Sequence, residues 1–274
     1  QGVIKKLDYL DNLGVDIIWL NPVYESPDDD NGYDISNYRK IADKFGDMSD
    51  WEELLAKVHK RGMRLIMDLV VNHTSDEHRW FEKSSSNKES PYRDYYIWKK
   101  GKAGSPPNNW QSFFGGPAWE YDKNTDEYYL HLFSKKQPDL NWENEKVRKD
   151  IYDMMTWWLD KGIDGFRMDV INLISKNQEF PDGKKEGLTG SEYFANGPKV
   201  HEYIKEMNTE VLSKYDIMTV GETVMVGPKE GAKYTGENRN ELDMVIHFDL
   251  MGLDEGEGGK YSPPKKIDLL ELKG

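Results

Sequence analysis

The chain has 274 residues, a mixed globular composition and a net charge of −13, with acids spread along its whole length. That size suits one large domain or a domain carrying an insertion, and that charge argues against a nucleic-acid partner, which needs a basic face. With no cysteine there is neither a disulfide framework nor a thiolate zinc site, and no apolar run reaches the roughly 18 residues of a membrane span. The expectation is a cytoplasmic protein that meets a small neutral ligand, with no nucleic acid and no membrane as partner.

One unit recurs along the chain: a helix with an apolar stripe, a glycine stop, then a short apolar strand. Val3, Leu7 and Leu10 mark the first helix, which stops at Gly14 before a strand over 15–20. A capping box of Ser49 and Glu52 opens the second helix, whose stripe is Trp51, Leu54, Leu55 and Val58. Gly62 ends it, and a strand covers 64–71. Val147, Ile151, Met154, Met155, Trp158 and Leu159 share one face of the third helix, with Gly162 and a strand over 163–170 after it. Val200, Tyr203, Ile204, Met207 and Val211 define a fourth, leading to a strand over 217–223. A fifth strand covers 244–250, and 267–272 reads as the start of another helix.

Helices alternating with nearly continuous apolar strands imply a parallel sheet covered on its outer face. A (β/α)8 barrel and a doubly wound open sheet both satisfy this, and the lack of a Gly-rich phosphate fingerprint disfavours a Rossmann domain. The repeat breaks once, from Thr74 to about Trp142. A stretch that long is either disordered or an inserted domain. Its aromatics, among them Trp98, Trp110, Phe113, Trp119, Tyr128 and Tyr129, favour the second. Five strands do not close an eight-stranded barrel, and open edges carry unpaired backbone groups. The expectation is therefore that these residues are part of a longer protein.

In a barrel the chemistry sits at the C-terminal ends of the strands. Those ends offer Asn21, Asn72 with His73, Asp169, Glu222, and His247 with Asp249. Arg167 lies two residues before Asp169, on the same strand face, where a guanidinium keeps a carboxylate ionised as a nucleophile requires. Glu222 ends another strand with no basic neighbour in its own motif, and a drier site lets such an acid hold a proton near neutrality. Two carboxylates with separated pKa values are what glycoside hydrolysis needs. A structural ion pair plus a loop-capping glutamate is the competing reading, and spacing alone leaves both open.

The same residues carry a family resemblance. Asp68-Leu-Val-Val-Asn-His73, Gly165-Phe-Arg-Met-Asp-Val170 and Val220-Gly-Glu-Thr223 resemble three motifs of the α-amylase superfamily, in order, each at a strand end. Gln137-Pro-Asp-Leu-Asn-Trp142 resembles the motif at the end of that family's inserted domain B. Asn31-Gly-Tyr-Asp-Ile-Ser-Asn-Tyr38 resembles a loop of its oligo-1,6-glucosidase branch.

The resemblance implies a partial (β/α)8 TIM barrel, about strands 2 to 6, with barrel segments at 1–73 and 143–274 around domain B at 74–142. It implies that Asp169 is the nucleophile and Glu222 the general acid/base of a retaining, exo-acting α-glucosidase. Arg167 would orient the nucleophile, and Asp68 would support that arginine. Asp30, Tyr33 and His73 would bind the terminal glucose, although Asp30 also reads as part of a solvated turn. Phe114, Phe133 and Gln137 would form the domain B wall. Val170 would favour α-1,6 linkages through its bulk, worth about 1–3 kcal/mol in such a pocket. No cofactor is implied and no metal within these residues, since the family's metal loop would fall before Gln1. Its third acid would fall beyond Gly274, so this chain alone is expected to be inactive or barely active. An α-1,4-glucosidase, a sucrose isomerase or a trehalose synthase would share the same acids. A non-enzymatic relative, such as a transporter heavy chain, would have less use for both.

Overall fold

The computed structural model describes residues 1–185, 187–248, 253–254 and 263–267. In chain order the elements are α1 (Leu7–Leu13), β1 (Ile17–Leu20), a two-stranded hairpin of β2 (Tyr24–Glu25) and β3 (Asn37–Ile41), α2 (Met48–His59) and β4 (Arg64–Val70). Next come α3 (Arg79–Ser86), β5 (Trp98–Lys99), β6 (Trp119–Asp122), β7 (Glu127–Leu130), α4 (Glu145–Asp160) and β8 (Gly165–Asp169). The chain then forms α5 (Ser191–Phe194), α6 (Val200–Glu210), β9 (Met218–Thr223), α7 (Pro228–Thr235) and β10 (Met244–His247).

The five strands read from the sequence form one sheet, in the order β1-β4-β8-β9-β10, every pair parallel. Their spatial order follows the chain without reversal. A doubly wound sheet reverses at a switch point; a barrel does not. The fold is thus a parallel half-barrel, and the open-sheet alternative is set aside.

The main core lies between this sheet and its helices. The stripe residues Trp51, Leu55 and Val58 of α2, Ile151, Met155 and Trp158 of α4, and Tyr203, Ile204 and Met207 of α6 are all buried there. The inner face of the outer strands is more open: Ile17 and Trp19 on β1 and Met244 and Ile246 on β10 are exposed.

Three local expectations change. The cap of α2 is Asp47, whose side chain accepts from Asp50 N while Asp50 reaches back to the Asp47 N–H. Ser49 and Glu52 therefore lie inside the helix, because an aspartate two residues earlier competes successfully for the free N–H groups. The first helix begins with a 3-10 turn over Ile4–Lys6, and Val3 is exposed instead of joining the stripe. The fifth strand is shorter at its described end, stopping at His247; Asp249, Leu250 and 268–272 lie outside the described residues.

The segment between β4 and α4 is folded. It contains α3 and an antiparallel sheet in the order β5-β7-β6. A second apolar cluster joins Trp110, Trp119, Leu130 and Leu132 of this segment to Val170, Leu173, Phe180 and Phe194 after β8. This packing fixes the segment over the C-terminal end of the sheet, where the polar residues collect.

Candidate active site

Strand register brings the acids together. Asp68 pairs in register with Arg167, and Arg167 with Val220, two residues before Glu222. Side chains alternate faces along a strand, so Asp68, Arg167, Asp169 and Glu222 share the inner face of three neighbouring strands. Gly165 and Gly221 allow this close pairing: a Cβ on Gly165 (φ +142°) would overlap the Met218 carbonyl, and one on Gly221 would lie 2.6 Å from Leu242 Cδ1.

Arg167 is the hub. Its Nη1 donates to Asp68 Oδ1 and to Asp169 Oδ1, both at 2.8 Å. Its Nη2 pairs with Glu222 Oε2. The guanidinium lies 4.8 Å from the Trp19 ring centre and 5.7 Å from that of Tyr33. Trp19 Nε1 and Tyr33 Oη in turn donate to Asp68 Oδ2, at 3.1 and 3.2 Å. The acid expected to lack a basic neighbour in its own motif therefore receives one from the adjacent strand.

Burial modifies the expected electrostatics. It pushes the Asp169 carboxyl up to about 6, with the Asp68 charge adding to the rise and Arg167 and His73 opposing it. Burial also raises Asp68 to about 6, against Arg167. Both carboxylates sit 2.8 Å from the same guanidinium nitrogen, yet both rise, because one nitrogen shared by two acids offsets only part of their desolvation. The guanidinium holds Asp169 in place without lowering its pKa below the usual carboxylate range.

A second chain of contacts runs from the loop after β2 to the segment before α4. Gln137 Nε2 donates to Asp30 Oδ2 at 2.9 Å and lies 3.2 Å from His73 Nε2. His73 is buried: its Nδ1 accepts from Asn72 Nδ2, and its Nε2 faces Tyr33 O at 3.2 Å. Burial lowers the His73 pKa, which favours the neutral ring. Asp30 is not merely a turn residue. The fully buried Asp34 accepts from the backbone N–H groups of Asp29 and Asp30 and fixes that loop. Burial raises the Asp30 pKa, and its bond to Gln137 opposes the rise.

Phe133 sits 5.2 Å from the His73 ring, centre to centre, and Phe114 packs edge-on to Phe133. Phe114 is 59% exposed, so it stands at a rim. Val170 is 4% exposed and belongs to the second apolar cluster. Its φ of 36° and ψ of 42° are strained for a β-branched residue, directly after Asp169. His247 has a buried Nδ1 without a partner, and Asn21 is exposed.

The sequence reading missed Lys176, Asp139, Asp34 and Trp19. Lys176 Nζ meets Asp139 Oδ2 at 2.7 Å and Asn72 Oδ1 at 2.8 Å, with both charges buried. Asn72 Nδ2 donates to Asp139 Oδ2, and Asp139 Oδ1 accepts from Leu132 N. This network ties the loop after β8, the end of β4 and the 130–141 segment together beneath His73. A signal existed: Lys176 is the only charged residue between Asp169 and Glu179. Among the described residues no group of three or more His, Asp or Glu is arranged to hold a metal.

The family model for the alpha amylase catalytic domain matches residues 1–274. The chain belongs to the alpha-amylase family. Within this family it is 65% identical over 265 residues to the oligo-1,6-glucosidase of Parageobacillus thermoglucosidasius, covering 95% of this chain and 47% of that one. It is similar to the crystal structure of Bacillus licheniformis trehalose-6-phosphate hydrolase, with a TM-score of 0.95 and 54% identity over 99% of this chain and 49% of that one. The isomaltulose synthase of Klebsiella sp. LX3 gives a TM-score of 0.96 at 48% identity, over 99% and 49% of the two chains. The chain spans about half the length of the curated relatives it matches. Among the described residues no helix is long and apolar enough to cross a membrane.

Proposed function

We propose that these residues supply the catalytic acids and most of the glucose pocket of a retaining, exo-acting α-glucosidase. Its substrate is the terminal α-1,6-linked glucose of isomalto-oligosaccharides. The observation that carries the reading is the meeting of Asp169 and Glu222 on one guanidinium, that of Arg167. Acids on separate strands converge there on a common space.

In this reading Asp169 attacks the anomeric carbon, and Glu222 protonates the leaving oxygen. The covalent glucosyl-enzyme is then opened by water that Glu222 deprotonates, so the α configuration is retained. That chemistry needs carboxyl groups about 5–5.5 Å apart. Arg167 releases Glu222 to the incoming glycosidic oxygen and keeps Asp169 aimed. Tyr33 packs under the sugar ring, and Asp30, braced by Gln137, closes the pocket on the terminal glucose. For His73 to bind a hydroxyl, Nε2 exchanges its contact with Tyr33 O for the sugar. Phe133 and Phe114 form a wall and its rim, and Val170 shapes the leaving-group side.

Residues 74–142 act as an inserted domain B between barrel parts 1–73 and 143–274. No cofactor or metal is drawn from these residues. A cytoplasmic place of work fits the cysteine-free composition.

The likeness to the Parageobacillus oligo-1,6-glucosidase supports hydrolysis of α-1,6 links. The likeness to an isomaltulose synthase supports a second reading, transfer of glucose to a sugar instead of water. A chimera separates them: residues 1–274 joined to the remaining half of the Parageobacillus oligo-1,6-glucosidase. It should hydrolyse isomaltose with retention, release glucose from sucrose instead of isomers, and lose about 10⁴-fold or more in kcat with Asp169→Asn or Glu222→Gln. Isomerised sucrose as main product would favour the second reading. Full turnover by the Asp169→Asn chimera would end the first. The 274-residue chain alone should be inactive or barely active.

A further inference from the structure

Apart from the acids, a cleft of about 610 Å³ opens between the β2–β3 hairpin, the start of α3 and the outer side of α4. That volume lies within the ~300–1,000 Å³ range of small-ligand sites. Its lining includes neither Asp169 nor Glu222. Tyr38, His78 and Trp80 form an aromatic floor, with ring centres of His78 and Trp80 4.5 Å apart. Tyr38 Oη donates to Val70 O at 2.8 Å, so the floor backs onto the end of β4.

Trp80 is 95% buried, and its indole N–H has no acceptor. Buried N–H groups without partners are rare, and an acceptor entering the cleft that Trp80 lines would satisfy this one. The exposed side chains of Glu77, Glu82 and Asp153 line the cleft as acceptors, and Arg79 adds a donor. Burial and the nearby Arg79 charge pull His78 down to about 3, so its ring stays neutral.

We propose that this cleft is a second, non-catalytic site for an uncharged, hydroxyl-rich ligand, a short oligosaccharide. Carboxylates outnumber arginines in the lining by five to two, which disfavours an anion. Indole and guanidinium donors beside those carboxylates have no use for a cation but suit hydroxyls, which both donate and accept. The site does not depend on the hydrolytic reading, because it uses none of the same side chains.

The test is a titration of the 15N-labelled chimera with isomaltotriose in a Glu222→Gln background, so that no sugar is consumed. The Trp80 indole signal is identified by its loss in Trp80→Phe. It should move along a saturable curve, and Asp153→Ala or Glu77→Ala should weaken that curve about fivefold. Asp30→Ala, at the main pocket, should leave it unchanged. An immobile Trp80 signal would overturn the proposal, as would a response lost with Asp30→Ala. So would a signal that moves with spermidine and not with sugar, which would make this a cation site.

Discussion

Lys176 Nζ lies 2.7 Å from Asp139 Oδ2, and neither side chain is reached by solvent. The pair joins the loop after β8 to the segment that covers the sheet, and through Asn72 it reaches His73. Breaking a buried pair leaves an uncompensated charge and costs about 3–5 kcal/mol. Lys176→Met should therefore destabilise the chain by that amount in urea unfolding. Lys176→Met with Asp139→Leu should recover part of the loss, because no lone charge remains.

The pH dependence follows from Asp68 and Asp169. Unfolded aspartates titrate near ~3.9, whereas burial raises both folded groups to about 6. Between those values the folded chain holds more protons than the unfolded chain. Their contribution to stability is thus fully present below the unfolded value and lost as pH rises through about 6. Asp68→Asn should flatten the fall in unfolding free energy between those pH values. In the active chimera the acid limb of kcat/KM should lie near 6, since the nucleophile works ionised. Asp68→Asn should move that limb to lower pH, because the Asp68 charge helps to raise Asp169.

The sheet and its helices were legible because its strands read as continuous apolar runs, β4 and β8 being buried on both faces, and Gly14, Gly62 and Gly162 mark the stops before three of the strands. All three adopt positive φ. That Asp169 and Glu222 lie at the C-terminal ends of neighbouring strands was legible from the apolar runs before them. Arg167 meeting Glu222 was not, since parallel register sets that contact between strands more than fifty residues apart in sequence. The upward pull on the Asp169 pKa was not legible for a related reason. Sequence reveals the neighbouring arginine but not the depth of burial, nor that Asp68 shares the same nitrogen. Lys176 and Asp139 were missed because the lone charge at Lys176 names no partner until folding places 37 residues of separation within one hydrogen bond.

Gly165 starts β8 with φ +142° against the backbone of Met218. Alanine there meets both a backbone conformation that L residues rarely adopt and an overlap with a carbonyl, and neither yields to a side-chain rotation. Gly165→Ala should displace the β8–β9 pairing and destabilise the chain by more than 2 kcal/mol, an order-of-magnitude figure for strain plus a lost ladder bond. Gly62→Ala also changes a positive-φ glycine but meets nothing within 4 Å. It should cost only about 1 kcal/mol, and chemical denaturation of both variants makes the comparison.

Trp19 touches the site in two ways that substitution can separate. Its Nε1–H donates to Asp68 Oδ2, and its ring lies 4.8 Å from the Arg167 guanidinium. Trp19→Phe removes the first contact and keeps most of the second. Loss of one hydrogen bond to a charged acceptor costs about 1.5–3 kcal/mol when buried, less here because Trp19 is 39% exposed and water can replace it. The expected effect in the chimera is a fall in kcat of about two- to tenfold with KM little changed, since Asp68 acts through Arg167 and not on the sugar. Trp19→Ala also removes the ring, so Arg167 loses one of its two aromatic neighbours. Its kcat should fall further, by about another fivefold for a cation–π contact near 1 kcal/mol. Equal kcat values for the two variants would assign the whole effect of Trp19 to its hydrogen bond.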